Sequence, residues 1–139
     1  MKYIWVLFCF FGVHFIEANQ NCIEQVVDKQ LIAYNEKDYE VFASCYDENI
    51  ESYDLETSTL IAQMSGLNFF IHYRDKFNEN PNIQCKVINR MVHDDLVIDH
   101  EYISSFRGNN HVELVIYQVT GARITKMWFT REILKGLDL

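Results

Sequence analysis

The sequence predicts a single α+β domain, with helices first and a long sheet after them. Three observations carry this. Apolar residues recur at helical spacing through the first half. Long β-branched and aromatic runs separated by turn residues fill the second half. A chain of 139 residues that is 49% apolar and 14% aromatic is enough for one real core.

The helical half divides into three. Cys22–Tyr34 places Ile23, Val26, Val27, Leu31 and Tyr34 on one face, with Asn19 or Asn21 available as a cap. A polar break at Asn35–Lys37 precedes a second short helix over Lys37–Tyr46, with Val41, Phe42 and Cys45 inward. Tyr46-Asp47-Glu48-Asn49 reads as a turn, and Ile50–Tyr53 as a short strand ending on Asp54. Glu56–Thr59 is a polar loop, and Leu60–Ala62 adds a short strand. Ser65 is the expected N-cap of the third helix, whose apolar face runs through Leu67, Phe70, Ile71, Tyr73, Arg74 and Phe77. That helix ends near Asn78, ahead of the only proline, Pro81.

From Ile83 the character changes. Ile83–His93, Leu96–Phe106, His111–Val119 and Arg123–Ile133 read as strands. The breaks between them, Asp94-Asp95, Gly108-Asn109-Asn110 and Thr120-Gly121, are turn chemistries, so the strands form an antiparallel meander.

The ends and the charge limit the partners. Lys2 followed by the apolar run Tyr3–Val13 and the polar, small-residue stretch Glu17-Ala18-Asn19 has the order of a secretory signal peptide. The run is too short to span a bilayer comfortably. Cleavage is expected after Ala18, although Ile16 is a poor fit at the −3 position. The mature domain is then 19–139, secreted or periplasmic, and not membrane-bound once the leader is gone. Cleavage removes Lys2 and Glu17 and leaves the formal charge at −8. Such a charge argues against nucleic acid as a partner, because phosphate binding needs clustered Lys and Arg.

Cys22, Cys45 and Cys85 remain after the leader is removed. They can form one disulfide with one buried thiol, or stay as three buried thiols. No Cys/His ligand spacing, G-x-S-x-G, P-loop, G-x-G-x-x-G or H-E-x-x-H is present, so no metal or cofactor is expected.

The segments QLIAYNEKDYEVFASCYDENIESYD, SGLNFFIHYRDKFNENP, VINRMVHDDLVIDHE and TGARITKMWFTRE, which together span nearly all of the mature chain, carry a resemblance. In that order they resemble the nuclear transport factor 2-like superfamily, closest to its SnoaL-like, steroid delta-isomerase-like branch. The resemblance implies a cone: a curved antiparallel sheet wrapped around three N-terminal helices, with a pocket at the open end and often a homodimer through the sheet. It implies no single activity, because this fold hosts isomerases, cyclases, dehydratases, epoxide hydrolases and binding modules.

Site residues follow partly from that resemblance. Asp54 falls where ketosteroid isomerases hold their carboxylate base. The alignment puts Gln30 at the position of their oxyanion tyrosine and Val115 at that of their protonated acid, so the donor pair is not retained. The Arg-x-Asp pair of the related epoxide hydrolases is also absent, since Val97–Glu101 holds no arginine. Strand alternation puts Asp99 and Glu101 on one face and His100 and Tyr102 on the other. Depending on which face turns inward, Glu101 or His100 would assist Asp54.

His111, Glu113, Val115 and Tyr117 share one face of the next strand, which the resemblance implies is the pocket side, and Met127, Phe129 and Arg131 are expected to line the last. Gln30 and Tyr34 line the pocket from the first helix. Trp128 is expected on the outer side. The reading is an exported domain with an apolar pocket for a small hydrophobic ligand. The alternative is a cofactor-free acid–base enzyme with Asp54 as base.

Overall fold

The structure, a computed structural model, describes residues 10–130, without the side chains of residues 10–21, 63 and 64. Arg131 lies outside the described residues, as does the first half of the expected leader Met1–Ala18. The elements are α1 (Phe10–Glu36), α2 (Tyr39–Ser44), β1 (Tyr46–Asp54), β2 (Leu60–Ser65), α3 (Gly66–Glu79), β3 (Gln84–His93), β4 (Leu96–Phe106), β5 (Asn109–Thr120) and β6 (Arg123–Phe129).

The fold is α+β, three helices against a six-stranded, curved, unclosed sheet in the order β2-β1-β6-β5-β4-β3. The run β3 to β6 is an antiparallel meander. β1 and β6 pair in parallel, so the sheet is mixed rather than wholly antiparallel as expected. Between β1 and β3 the chain forms β2 and α3, so β1 and β6 are joined through distant segments.

Two boundaries differ from the sequence reading for tertiary reasons. The polar stretch Tyr46–Asn49, expected as a turn, is the start of β1. Tyr46 is buried and paired with Ile124, and Asn49 with Ser65. Neighbouring strands satisfy a backbone whose side chains alone suggest a loop. The β4–β5 turn is two residues, Arg107-Gly108, with φ of 49° and 77°. Paired positive φ values match the right-handed twist of the flanking strands, so Asn109 and Asn110 enter the ladder instead of the turn. On α3 the buried residues are Phe69 and Phe77, and Leu67 points to solvent.

The helices meet the sheet through an aromatic cluster. Phe42 of α2 lies 4.4 Å from Tyr73, 5.0 Å from Tyr46 and 5.6 Å from Phe77, ring centre to ring centre. Tyr34 of α1 meets Phe77 edge-on at 5.1 Å. Polar clamps fix α1 to β3. Asn35 donates to the Cys85 carbonyl at 2.9 Å and accepts from the Cys85 N–H at 2.7 Å. Lys37, in a left-handed conformation at φ 62°, donates its ammonium to the carbonyls of Tyr34, Asn35 and Ile83 and so closes the C-terminus of α1.

Cys22, Cys45 and Cys85 are free thiols. Cys22 is exposed and the other two are buried, so neither expected arrangement holds. Among the described residues no helix is long and apolar enough to cross a membrane.

Candidate functional site

The concave side of the sheet and the helices enclose a cavity of about 120 Å³. β4 and β5 supply its acids by strand alternation. Val97, Asp99, Glu101 and Ile103 are buried on one face of β4, and Val115, Tyr117 and Val119 on one face of β5. Gln30, Leu31 and Tyr34 of α1, Tyr73 and Lys76 of α3, Cys85 of β3, and Met127 and Phe129 of β6 close the walls. Phe42, Tyr46, Glu101, Ile103, Glu113, Val115 and Tyr117 complete the lining. The cavity is therefore not simply apolar.

Its polar groups form one chain. Tyr46 donates to Gln30 Oε1 at 3.1 Å, and Gln30 Nε2 donates to the Tyr117 hydroxyl at 3.4 Å. Tyr117 donates to Glu101 Oε1 at 2.8 Å, and the Cys85 thiol donates to Glu101 Oε2 at 3.3 Å. Among the described residues no buried side-chain nitrogen or oxygen is without a partner. That is what a buried polar network must achieve to be tolerated.

Glu101 is the electrostatic centre. It is 3% exposed and directly opposite Glu113 across the β4–β5 ladder. Burial disfavours its charge, and the facing Glu113 carboxylate disfavours it further. The hydrogen bonds from Tyr117 and Cys85 pull the other way, and Glu101 is pushed up to about 7. Glu113 in turn lies 3.5 Å from His111 Nε2. Burial also raises the Tyr117, Tyr46 and Cys85 protons well above their ordinary values, so these groups act as neutral donors. Glu101 can thus hold or give up a proton near neutrality beside a second carboxylate.

Other expected site residues lie elsewhere. Asp54 does not line this cavity. Its Oδ1 accepts from the Glu56 and Thr57 N–H groups at 3.1 and 2.9 Å and from the Thr57 hydroxyl at 3.0 Å, closing the β1–β2 turn. A short acid after a strand is well suited to this turn role. His100 projects from the opposite face of β4 to Glu101 and is not among the residues that line the cavity. Asp99 is buried on the inner face but outside the cavity lining, held by Arg90 through two bonds of 2.7 Å. Arg90 also bonds Asp28 of α1.

Lys76 is not among the expected site residues, and Cys85 is expected from the sequence only as a disulfide partner or a buried thiol. Lys76 follows Phe69 and Tyr73 at i+7 and i+3, a spacing that places it on the buried face of α3. Its charge suggested a solvent position. Trp128 lies on the outer face of β6, stacked on Tyr53 at 5.5 Å. No group of three His, Cys, Asp or Glu residues suited to a metal occurs among the described residues.

Comparison with solved structures gives likenesses at low identity. A SnoaL-like protein of unknown function from Burkholderia thailandensis is 16% identical with a TM-score of 0.61, over 79% of this chain and 93% of that one. A provisionally assigned ketosteroid isomerase from Kribbella flavida is 14% identical with a TM-score of 0.67, over 86% and 85%. An LEH-like epoxide hydrolase from M. tuberculosis is 11% identical with a TM-score of 0.64, over 80% and 83%. No family model and no curated protein matches the chain. At these identities the likeness is one of fold.

Proposed function

From a chain with the nuclear transport factor 2-like fold, we propose a domain that takes a small carbonyl compound into this cavity and moves a proton with Glu101. The observation that carries the reading is the Glu101–Glu113 pair facing across β4 and β5 inside the cavity, with Tyr117 fixed on Glu101. Proton abstraction beside a carbonyl needs a base whose pKa lies near the working pH, and Glu101 at about 7 meets that need. Solved structures of the same fold include one assigned as a ketosteroid isomerase, which supports the reaction class. Size argues against its substrate. A cavity of about 150 Å³ holds one benzene ring, so about 120 Å³ fits a five-membered ring or a short-chain carbonyl compound rather than four fused rings.

The test is α-proton exchange of cyclopentanone in D2O, followed by NMR. The wild type is expected to accelerate exchange. Glu101→Gln is expected to slow it by about a hundredfold or more, while Asp54→Asn leaves it unchanged. Absence of acceleration by the wild type would sink the catalytic reading. A second reading, binding without turnover, is favoured by one observation: both Glu101 oxygens already accept hydrogen bonds, and Val115 offers no donor. Saturable chemical-shift changes without exchange would support it.

We also infer export, from Lys2 and the apolar run Tyr3–Val13. N-terminal sequencing of protein recovered from the medium or periplasm checks it, and an intact Met1 would count against it.

A further inference from the structure

Lys76 stands in an unusual place for a lysine. It projects from α3 into the cavity, and its Nζ sits 5.4 Å, 5.1 Å and 5.4 Å from the ring centres of Tyr34, Tyr73 and Phe106. Among the described residues no carboxylate lies within 4.0 Å of it, and its Nζ donates no hydrogen bond. It also lines the outer groove formed with His72, Asp75, Glu79, Asn80, Phe106 and Arg107, so it stands between the interior and the surface.

Charge around Lys76 is mixed. Glu101 of β4 and Glu113 of β5 favour its ammonium, as do the three rings. Cys85 of β3 remains a neutral thiol. Tyr34 and Tyr73 also remain neutral. Burial acts the other way and is the larger effect, holding Lys76 below the ordinary lysine range. A half-buried amine that is partly desolvated and lacks an ion-pair partner is a lysine poised to act as a nucleophile.

We propose that Lys76 is a carbonyl-capturing amine that forms an imine with a small aldehyde or ketone seated in this cavity. This deepens the reading above and rests on it for the entry of a carbonyl compound. The Nζ lone pair forms the new C–N bond while the carbonyl π electrons move to oxygen. The two Nζ protons leave with that oxygen as water, relayed through a cavity carboxyl such as Glu101. The amine and carbonyl become an imine and one water, with no change of oxidation state. The imine draws electrons from the adjacent carbon, which is where Glu101 would remove its proton.

The experiment treats the full chain with propanal and cyanoborohydride at neutral pH, then maps the propylated lysines by mass spectrometry. Lys76 is expected to be labelled about tenfold faster than the exposed Lys86, as an activated amine should be. Labelling of Lys76 no faster than Lys86 overturns the proposal. Lys76→Arg keeps the charge and should remove the adduct. The comparison among lysines of the wild type holds even if that variant folds poorly. Exchange without labelling of Lys76 would leave Glu101 chemistry standing and remove the imine. Labelling of Lys76 without exchange would leave the imine standing and remove the Glu101 step.

Discussion

Asp99 and Glu101 sit two residues apart on the same face of β4, and both are almost fully buried. Their surroundings differ in one respect. Arg90 reaches Asp99 from the neighbouring strand with a two-pronged pair, and Asp28 completes that arginine from α1. Burial works against the Arg90 charge, but the bonds to both carboxylates outweigh it and hold its proton more tightly than usual. Glu101 meets no cation at bonding distance; it receives neutral donors and faces another acid. Identical burial therefore yields a structural brace at one position and a titrating group at the other. What decides between them is the partner chain segment, not the acid.

The largest expected effect breaks the brace. Arg90→Met leaves Asp99 buried and uncompensated, which should cost about 3–5 kcal/mol of stability. Urea unfolding checks it, and Arg90→Met with Asp99→Leu should recover much of the loss. A single variant as stable as the wild type would show that Asp99 is not a buried charge.

Glu101 makes the complementary prediction through pH. Its folded value, about 7, lies above its ordinary value of 4.5, so folding favours the protonated form. The associated stability is fully present below the unfolded value and lost as pH rises through about 7. That loss is about 3 kcal/mol at most. Glu101→Gln should flatten the decline between those pH values, read by unfolding midpoints across the range. An equal decline in the variant would place the titration on another group.

Asp54 sharpens the contrast from outside the cavity. Asp54→Ala removes an acceptor that serves three donors in the β1–β2 turn, and about 1–2 kcal/mol is the expected cost. Ketone exchange should stay at the wild-type rate. A hundredfold loss of exchange would return Asp54 to the site.

Much of the fold was readable because periodicity reports burial. The helix of Tyr34, the four long strands and their turn residues stand in the sequence as patterns of period 3.6 and 2. The site was only half readable. Alternation paired Asp99 with Glu101, and one face of β5 was correctly grouped as Glu113, Val115 and Tyr117. Alternation cannot say which face turns inward, and an aligned position cannot say whether Asp54 points into a cavity or caps a turn. Lys76 was hidden by its charge, because a long cation on a helix ordinarily reaches water.

By itself, then, the sequence determined the class of fold, the order of its elements and the acids available on each strand face. These depend on local spacing and hydrophobic pattern. Tertiary structure alone decided the parallel joining of β1 to β6, the pairing of Arg90 with Asp99, the facing of Glu101 with Glu113, and the placing of Lys76 among three rings. Those depend on which distant segments come within a few ångströms, where desolvation and charge set what each side chain does.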